Sequence, residues 1–69
     1  MDMKLAGRKL RSWRRVRHIT QIRLAEMTGL SVSCIGQIEK GKENPSMSTL
    51  YALCKALGIS MDYVAGLTE

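Results

Sequence analysis

Between Thr20 and Gly41 the chain reads TQIRLAEMTGLSVSCIGQIEKG, and no other segment restricts the possible folds as much. Apolar residues recur at helical spacing on both sides of Gly29, with Leu24 and Met27 before it and Ile35 and Ile38 after it. Thr20 stands where a helix N-cap is expected, and the helix it opens runs to about Thr28, with Leu24 and Met27 pointing inward. Gly29 follows where a chain leaving a helix needs a left-handed residue, a conformation that a β-carbon makes costly. Ser31 then caps a further helix. Two helices of about eight residues therefore meet across Gly29, Leu30 and Ser31, the connection length of a helix-turn-helix. Ala25 falls mid-way along the first of them, where a larger side chain would wedge the pair apart. Leu24, Leu30, Ile35 and Ile38 form the apolar seam that sets the crossing angle.

With that seam inward, the opposite face of the helix after Ser31 carries Val32, Ser33, Gly36, Gln37 and Lys40. It is small and polar, with one long amide and one cation. Such a rod suits insertion into a groove about 12 Å wide, the width of the major groove of duplex DNA.

The rest of the chain is also helical in period. A helix is expected from about Lys4 to Arg17, with Leu10 and Trp13 on its inner face and Ala6 and Val16 supporting. GKENPS is a loop, since Gly41, Asn44 and Pro45 resist helix there. Ser46 or Ser48 caps a fourth helix bearing Leu50, Leu53, Cys54 and Leu57, and Gly58 stops it. Ser60 opens a last short helix with Met61, Tyr63 and Val64. The expectation is an all-α fold of five short helices, one domain over residues 1–69.

Charge adds a partner class. Residues 1–18 hold seven Lys and Arg against one acid, whereas residues 19–69 hold four bases and five acids. A basic N-terminal block points to an anionic partner, nucleic acid or lipid headgroups. Several classes drop out. No apolar run is long enough for a membrane span, and the N-terminus lacks the apolar stretch of a secretory signal. Cys34 and Cys54, with only His18 beside them, fit neither a disulfide scaffold nor a zinc site, and read as reduced apolar fillers. One histidine, no paired carboxylates, no Ser–His pair and no phosphate-cradling glycine loop argue against an enzyme. A chain of 69 residues is expected to leave no room for an inducer-binding domain, so neither a cofactor nor a small-molecule ligand is expected.

The sequence resembles the Cro- and repressor-type (XRE-like) helix-turn-helix regulators of phages and bacteria. The likeness extends from Gly7 to Val64 and rests on Leu10, Trp13, Arg14, Ile19, Thr20, Gln21, Leu24, Ala25, Gly29, Ser31, Ile35, Ile38, Glu39, Gly41, Asn44, Pro45, Leu50, Leu57, Gly58 and Asp62. It implies a five-helix, lambda-repressor-like DNA-binding domain whose third helix reads the major groove, as a homodimer on a palindromic operator. It further implies that Val32, Ser33 and Gln37 read bases. Gln21, Ser31, Arg14, Lys40 and Lys42 fall to the DNA backbone, and Arg14 pairs with Glu39 between the first and third helices. Gln37 has the amide for adenine, Ser33 a hydroxyl for several bases and Val32 a methyl for thymine. Gln21 has an amide beside helix N-terminal N–H groups, a phosphate-binding combination.

Three positions depart from the family pattern. Gly36 stands where a small polar residue is common, and His18 where glycine ends the first helix. Arg23 lies in the first turn of the second helix, where the dipole disfavours a cation and a phosphate would relieve it. The resemblance implies a repressor of a bacterial or phage-infected cytoplasm, associated with the nucleoid. Met61, Tyr63, Val64 and Leu67 are the first candidates for a dimer surface, although Met61 and Tyr63 serve core closure equally well. Two other readings are an antitoxin-type interaction module of a toxin–antitoxin pair, and a membrane-surface role for the basic first helix.

Overall fold

The computed structural model describes residues 1–67. Five helices follow in order: α1 (Met3–Val16), α2 (Gln21–Thr28), α3 (Val32–Glu39), α4 (Met47–Leu57) and α5 (Met61–Ala65). No strand occurs among the described residues. Each helix begins on a side-chain cap. Asp2 accepts from the amides of Lys4 and Leu5, and Thr20, Ser31 and Ser60 each accept from the amide three residues on. Of the two candidate caps for α4 the structure uses Ser46, whose Oγ accepts from Thr49 N at 3.2 Å. These bonds satisfy amides that a helix start leaves without partners.

Gly29 ends α2 at φ 75°, which lets α3 leave at a steep angle. His18 takes the same left-handed conformation after α1 at φ 58°, the only non-glycine to do so among the described residues. The hydrophobic core gathers Ala6 and Leu10 of α1, Leu24 and Ala25 of α2, Ile35 and Ile38 of α3, Leu50, Leu53, Cys54 and Leu57 of α4, and Val64 of α5. α1 packs against α3, α4 and α5, while α2 lies across α3 and α4.

Four positions differ from what helical spacing suggests. Val16 is 58 % exposed, because steps of three residues fall behind the helix by about 60° each and two of them carry it well off the Leu10 face. Met27 is turned to solvent because it lies two residues, about 160° of arc, from the buried Ala25, and it borders a shallow cleft with Tyr51 and Lys55. Trp13 is half-buried rather than central. Its indole Nε1 donates to Tyr63 Oη at 3.3 Å and Arg17 lies over its ring. Val64, a candidate for a dimer surface, is 1 % exposed. It closes the core of its own chain and offers nothing to a partner.

Candidate nucleic-acid interface

Helix α3 is held from one side only. Ile35 and Ile38 anchor it in the core, and its last residue, Glu39, is buried with Arg14. Arg14 Nε lies 2.7 Å from Glu39 Oε2 and Nη2 lies 3.1 Å from Oε1, a two-pronged pair of fixed geometry. Arg14 Nη1 donates to the carbonyl of Ile19 at 2.9 Å, which ties the same guanidinium to the segment leading into α2. Three nitrogens of Arg14 are thereby engaged inside the protein. The structure holds this side chain against Glu39 and Ile19, at the edge of the cleft that Arg11, Arg15, Gln21 and Val32 also line.

The other side of α3 is free. Val32, Ser33, Gln37 and Lys40 are exposed on it, and Ser31 Oγ closes its start by accepting from Cys34 N at 3.0 Å. Gly36 lies on this side too, and a β-carbon built there meets only Gln21 Nε2, at 3.9 Å. Gln21 opens α2 beside it, half-buried, and donates from Nε2 to Glu39 Oε1 at 3.1 Å. Arg14, Glu39 and Gln21 thus form one network joining α1, the end of α3 and the start of α2. Beyond α3, Lys40 and Lys42 are exposed, and Lys42 N donates to the carbonyl of Gln37 at 2.9 Å, so the chain folds back under the helix it has left.

Arg23 is exposed and pairs loosely with Glu26 at 3.5 Å. Both side chains are more than half solvent-accessible, so the pair contributes little. Cys34 donates from Sγ to Glu43 Oε2 at 3.1 Å, and this carboxylate together with burial raises its thiol above the ordinary value. Cys54 is buried in α4 and its thiol is pushed up to about 11 by burial. Neither is bonded to another cysteine. Among the described residues no group of three or more His, Cys, Asp or Glu could hold a metal ion, and no helix is long and apolar enough to cross a membrane.

Three features were missed in sequence. Ile22 is 65 % exposed beside Val32, adding an apolar spot to the cleft that Gln21 lines. Gly7 carries α1 across the end of α3 so closely that a β-carbon would strike the carbonyl of Ile38 and lie 2.6 Å from that of Glu39. An open apolar groove of about 630 Å³ lies between the start of α4 and α5, lined by Met47, Leu50, Met61, Ala65 and Leu67 with Met1. The last was missed only in part, since Met61 and Leu67 are among the dimer-surface candidates read from the sequence, whereas Met1, Met47, Leu50 and Ala65 are not.

Residues 10–64 match the helix-turn-helix family HTH_3. The chain belongs to this family. HTH_3 proteins are DNA-binding transcriptional regulators and not enzymes. Among relatives, the immunity repressor protein of Bacillus phage phi105 is 42 % identical over 60 residues, which are 87 % of this chain and 42 % of that repressor. The chain therefore spans less than half of that relative's length. Among solved structures, the restriction-modification controller protein C.AhdI from Aeromonas hydrophila superposes with a TM-score of 0.86 at 32 % identity, covering 91 % of this chain and 96 % of the other. The c2 repressor of phage P22, solved in complex with a synthetic operator, superposes with a TM-score of 0.83 at 38 % identity, over 87 % of this chain and 91 % of the other. The all-α, five-helix expectation agrees with these neighbours.

Proposed function

We propose that this HTH_3 protein is a transcriptional repressor that binds a palindromic operator as a homodimer, laying α3 in the major groove of each half-site. The observation that carries the reading is the two-sidedness of α3. Its inner edge is locked by Ile35, Ile38 and the Arg14–Glu39 pair, while Val32, Ser33 and Gln37 stand free on the outside. A rigid rod with three exposed, chemically different side chains is what base reading needs. In this reading Gln37 pairs with adenine, Ser33 bonds a base edge and Val32 touches a thymine methyl. Gln21 and the start of α2 take a phosphate, with Lys40, Lys42, Arg23 and the Ser31 turn on the backbone to either side. Arg14 serves this surface first as scaffold, with three of its five N–H donors engaged inside the protein, and from the edge of the same cleft it backs Gln21 towards the phosphate.

The apolar groove between α4 and α5 is the surface we assign to the second copy. Met47 and Leu67 at its rim are 74 % and 76 % exposed, and none of its lining residues lines the cleft beside Gln21 and Val32. Exposed apolar side chains clustered around a groove are the pattern of an association surface. Two-fold symmetry then sets half-sites about one helical turn apart, roughly 34–36 Å.

The test is selection from a random duplex library, followed by footprinting and gel shifts with variants. An inverted repeat is expected, with an affinity on the order of 10⁻⁸–10⁻¹¹ M. Gln37→Ala is expected to relax discrimination at one position of each half-site by about 1–3 kcal/mol. Unchanged discrimination by that variant, with a selected site lacking inverted symmetry, overturns the reading.

A further inference from the structure

The basic block at the N-terminus is not scattered around α1. Lys4, Arg8, Arg11 and Arg15 follow one another at i, i+4, i+7 and i+11, within about 60° of arc at about 3.6 residues per turn. All four are exposed. Among the described residues none of the four pairs with a carboxylate within ion-pair distance, whereas the other basic residues of this region are engaged. Arg14 holds Glu39, Arg17 donates to the carbonyl of Leu57, and Lys9 donates to the carbonyl of Tyr63 while lying over its ring. α1 itself contains no acidic residue.

Both ends of this stripe meet the proposed DNA surface. Arg11 and Arg15 line a shallow cleft whose other wall is Thr20, Gln21, Ile22 and Val32, so they stand over the start of α2 and α3. Lys4 packs against Gly41, next to Lys40 and Lys42 at the far end of α3; a β-carbon at Gly41 would fall 2.8 Å from Lys4 Cα. α1 therefore crosses the end of α3 at Gly7, and the four cations lie on the solvent side of that crossing. Four unpaired like charges in a row repel one another and destabilise the free protein. A polyanion that carries a charge at regular intervals removes that penalty.

We propose that Lys4, Arg8, Arg11 and Arg15 form a phosphate track that grips the backbone of the DNA flanking each half-site, outside the base pairs facing α3. The proposal rests on the repressor reading above and adds to it a second, sequence-independent binding zone. Its function is to give the protein general affinity for duplex, so that it reaches its operator from bound non-specific DNA, and to lengthen the footprint beyond the bases it reads.

The experiment measures binding by the full chain as a function of salt, for wild type and for the triple variant Arg8→Gln, Arg11→Gln, Arg15→Gln. The probes are a duplex selected by the wild-type protein, the same duplex trimmed to its half-sites, and a long random-sequence duplex. Each phosphate that the variant no longer neutralises is expected to make the slope of log K against log salt shallower by about 0.9. The triple variant should therefore lose about 2–3 units of slope on the untrimmed and random duplexes, with the ratio between those two affinities unchanged. Trimming should weaken the wild type and leave the variant nearly unaffected. An unchanged salt slope, or a loss confined to the ratio, overturns the track. So does stripe-dependent binding to vesicles of anionic phospholipid when the DNA slope is unchanged. Circular dichroism of the variant separates a folding defect from weakened phosphate binding. Failure of the wild type to discriminate among duplexes defeats the repressor reading itself, a result distinguishable from a normal selected site with an indifferent stripe.

Discussion

Gln21 Nε2 and Glu39 Oε1 are 3.1 Å apart, so a single side-chain bond ties the first residue of α2 to the last residue of α3. Gln21 is thus the phosphate-facing side chain of the proposed interface and also part of what fixes the reading helix. The two roles have different readouts in one variant. Gln21→Ala removes one partly buried bond and should lower stability by about 1 kcal/mol. In gel shifts it should weaken binding by a similar factor across all duplex sequences, since a backbone contact carries no sequence information.

Glu39→Gln should act through stability alone. It leaves Arg14 charged, buried and without its counter-ion, which costs about 3–5 kcal/mol. Denaturant unfolding should show that loss directly, and the DNA defect should follow the fraction unfolded. Replacing both partners by apolar residues, Arg14→Met with Glu39→Leu, is expected to recover most of the stability, because a buried ion pair contributes little beyond its apolar isostere. A double variant less stable than Glu39→Gln would show that the network does more than balance its own burial.

Gly7→Ala tests the α1–α3 crossing. Its β-carbon would collide with the carbonyls of Ile38 and Glu39, which are backbone atoms and cannot swing aside. Helices forced apart where they pack lose about 1–3 kcal/mol, although alanine is the better helix former. A higher melting temperature for Gly7→Ala would contradict the closeness of this crossing.

Gly36→Ala should behave in the reverse sense. A β-carbon there meets only the end of the Gln21 side chain at an ordinary distance, so α3 gains about 0.5–1 kcal/mol from the lost flexibility of glycine. Thermal unfolding should move up. Operator affinity should fall, because the added methyl lies on the side of α3 assigned to the groove.

The buried thiol of Cys54 predicts an alkaline dependence. Its folded value of about 11 lies above the ordinary 9.0, so the folded state keeps a proton that the unfolded chain loses first. The stability this contributes is whole below about pH 9 and declines as pH rises towards 11. Cys54→Ala should be less stable at neutral pH, since it leaves a small cavity. Its stability should fall less steeply than that of the wild type between those two pH values. Parallel curves would show that Cys54 stays protonated by no more than an exposed thiol does.

The approximate helix bounds, the caps Thr20, Ser31 and Ser60 and the helix-ending Gly29 and Gly58 were legible in the chain itself, because each depends on residues within about four positions, whereas the Asp2 cap went unread and His18 was marked only through the family resemblance. The exposed face of α3 was legible as well, since Ile35 and Ile38 declare which side is inward. Spacing failed where a face drifts. Val16 and Met27 lie three residues from apolar neighbours, yet rotate off the buried side, and Val64, a candidate for a dimer surface, is an ordinary core valine.

The tertiary structure decided everything that joins distant segments. Gln21 reaches Glu39 across 18 residues, Arg14 across 25, and α1 comes as close to the end of α3 as it does because position 7 is glycine. Whether Arg11 and Arg15 face solvent at random or line one cleft with Gln21 depended on how that crossing rotates the helix. Local hydrogen bonding and apolar period are written along a chain. Crossing angle and rotation emerge only when several helices share one core, since each then settles where the others leave room.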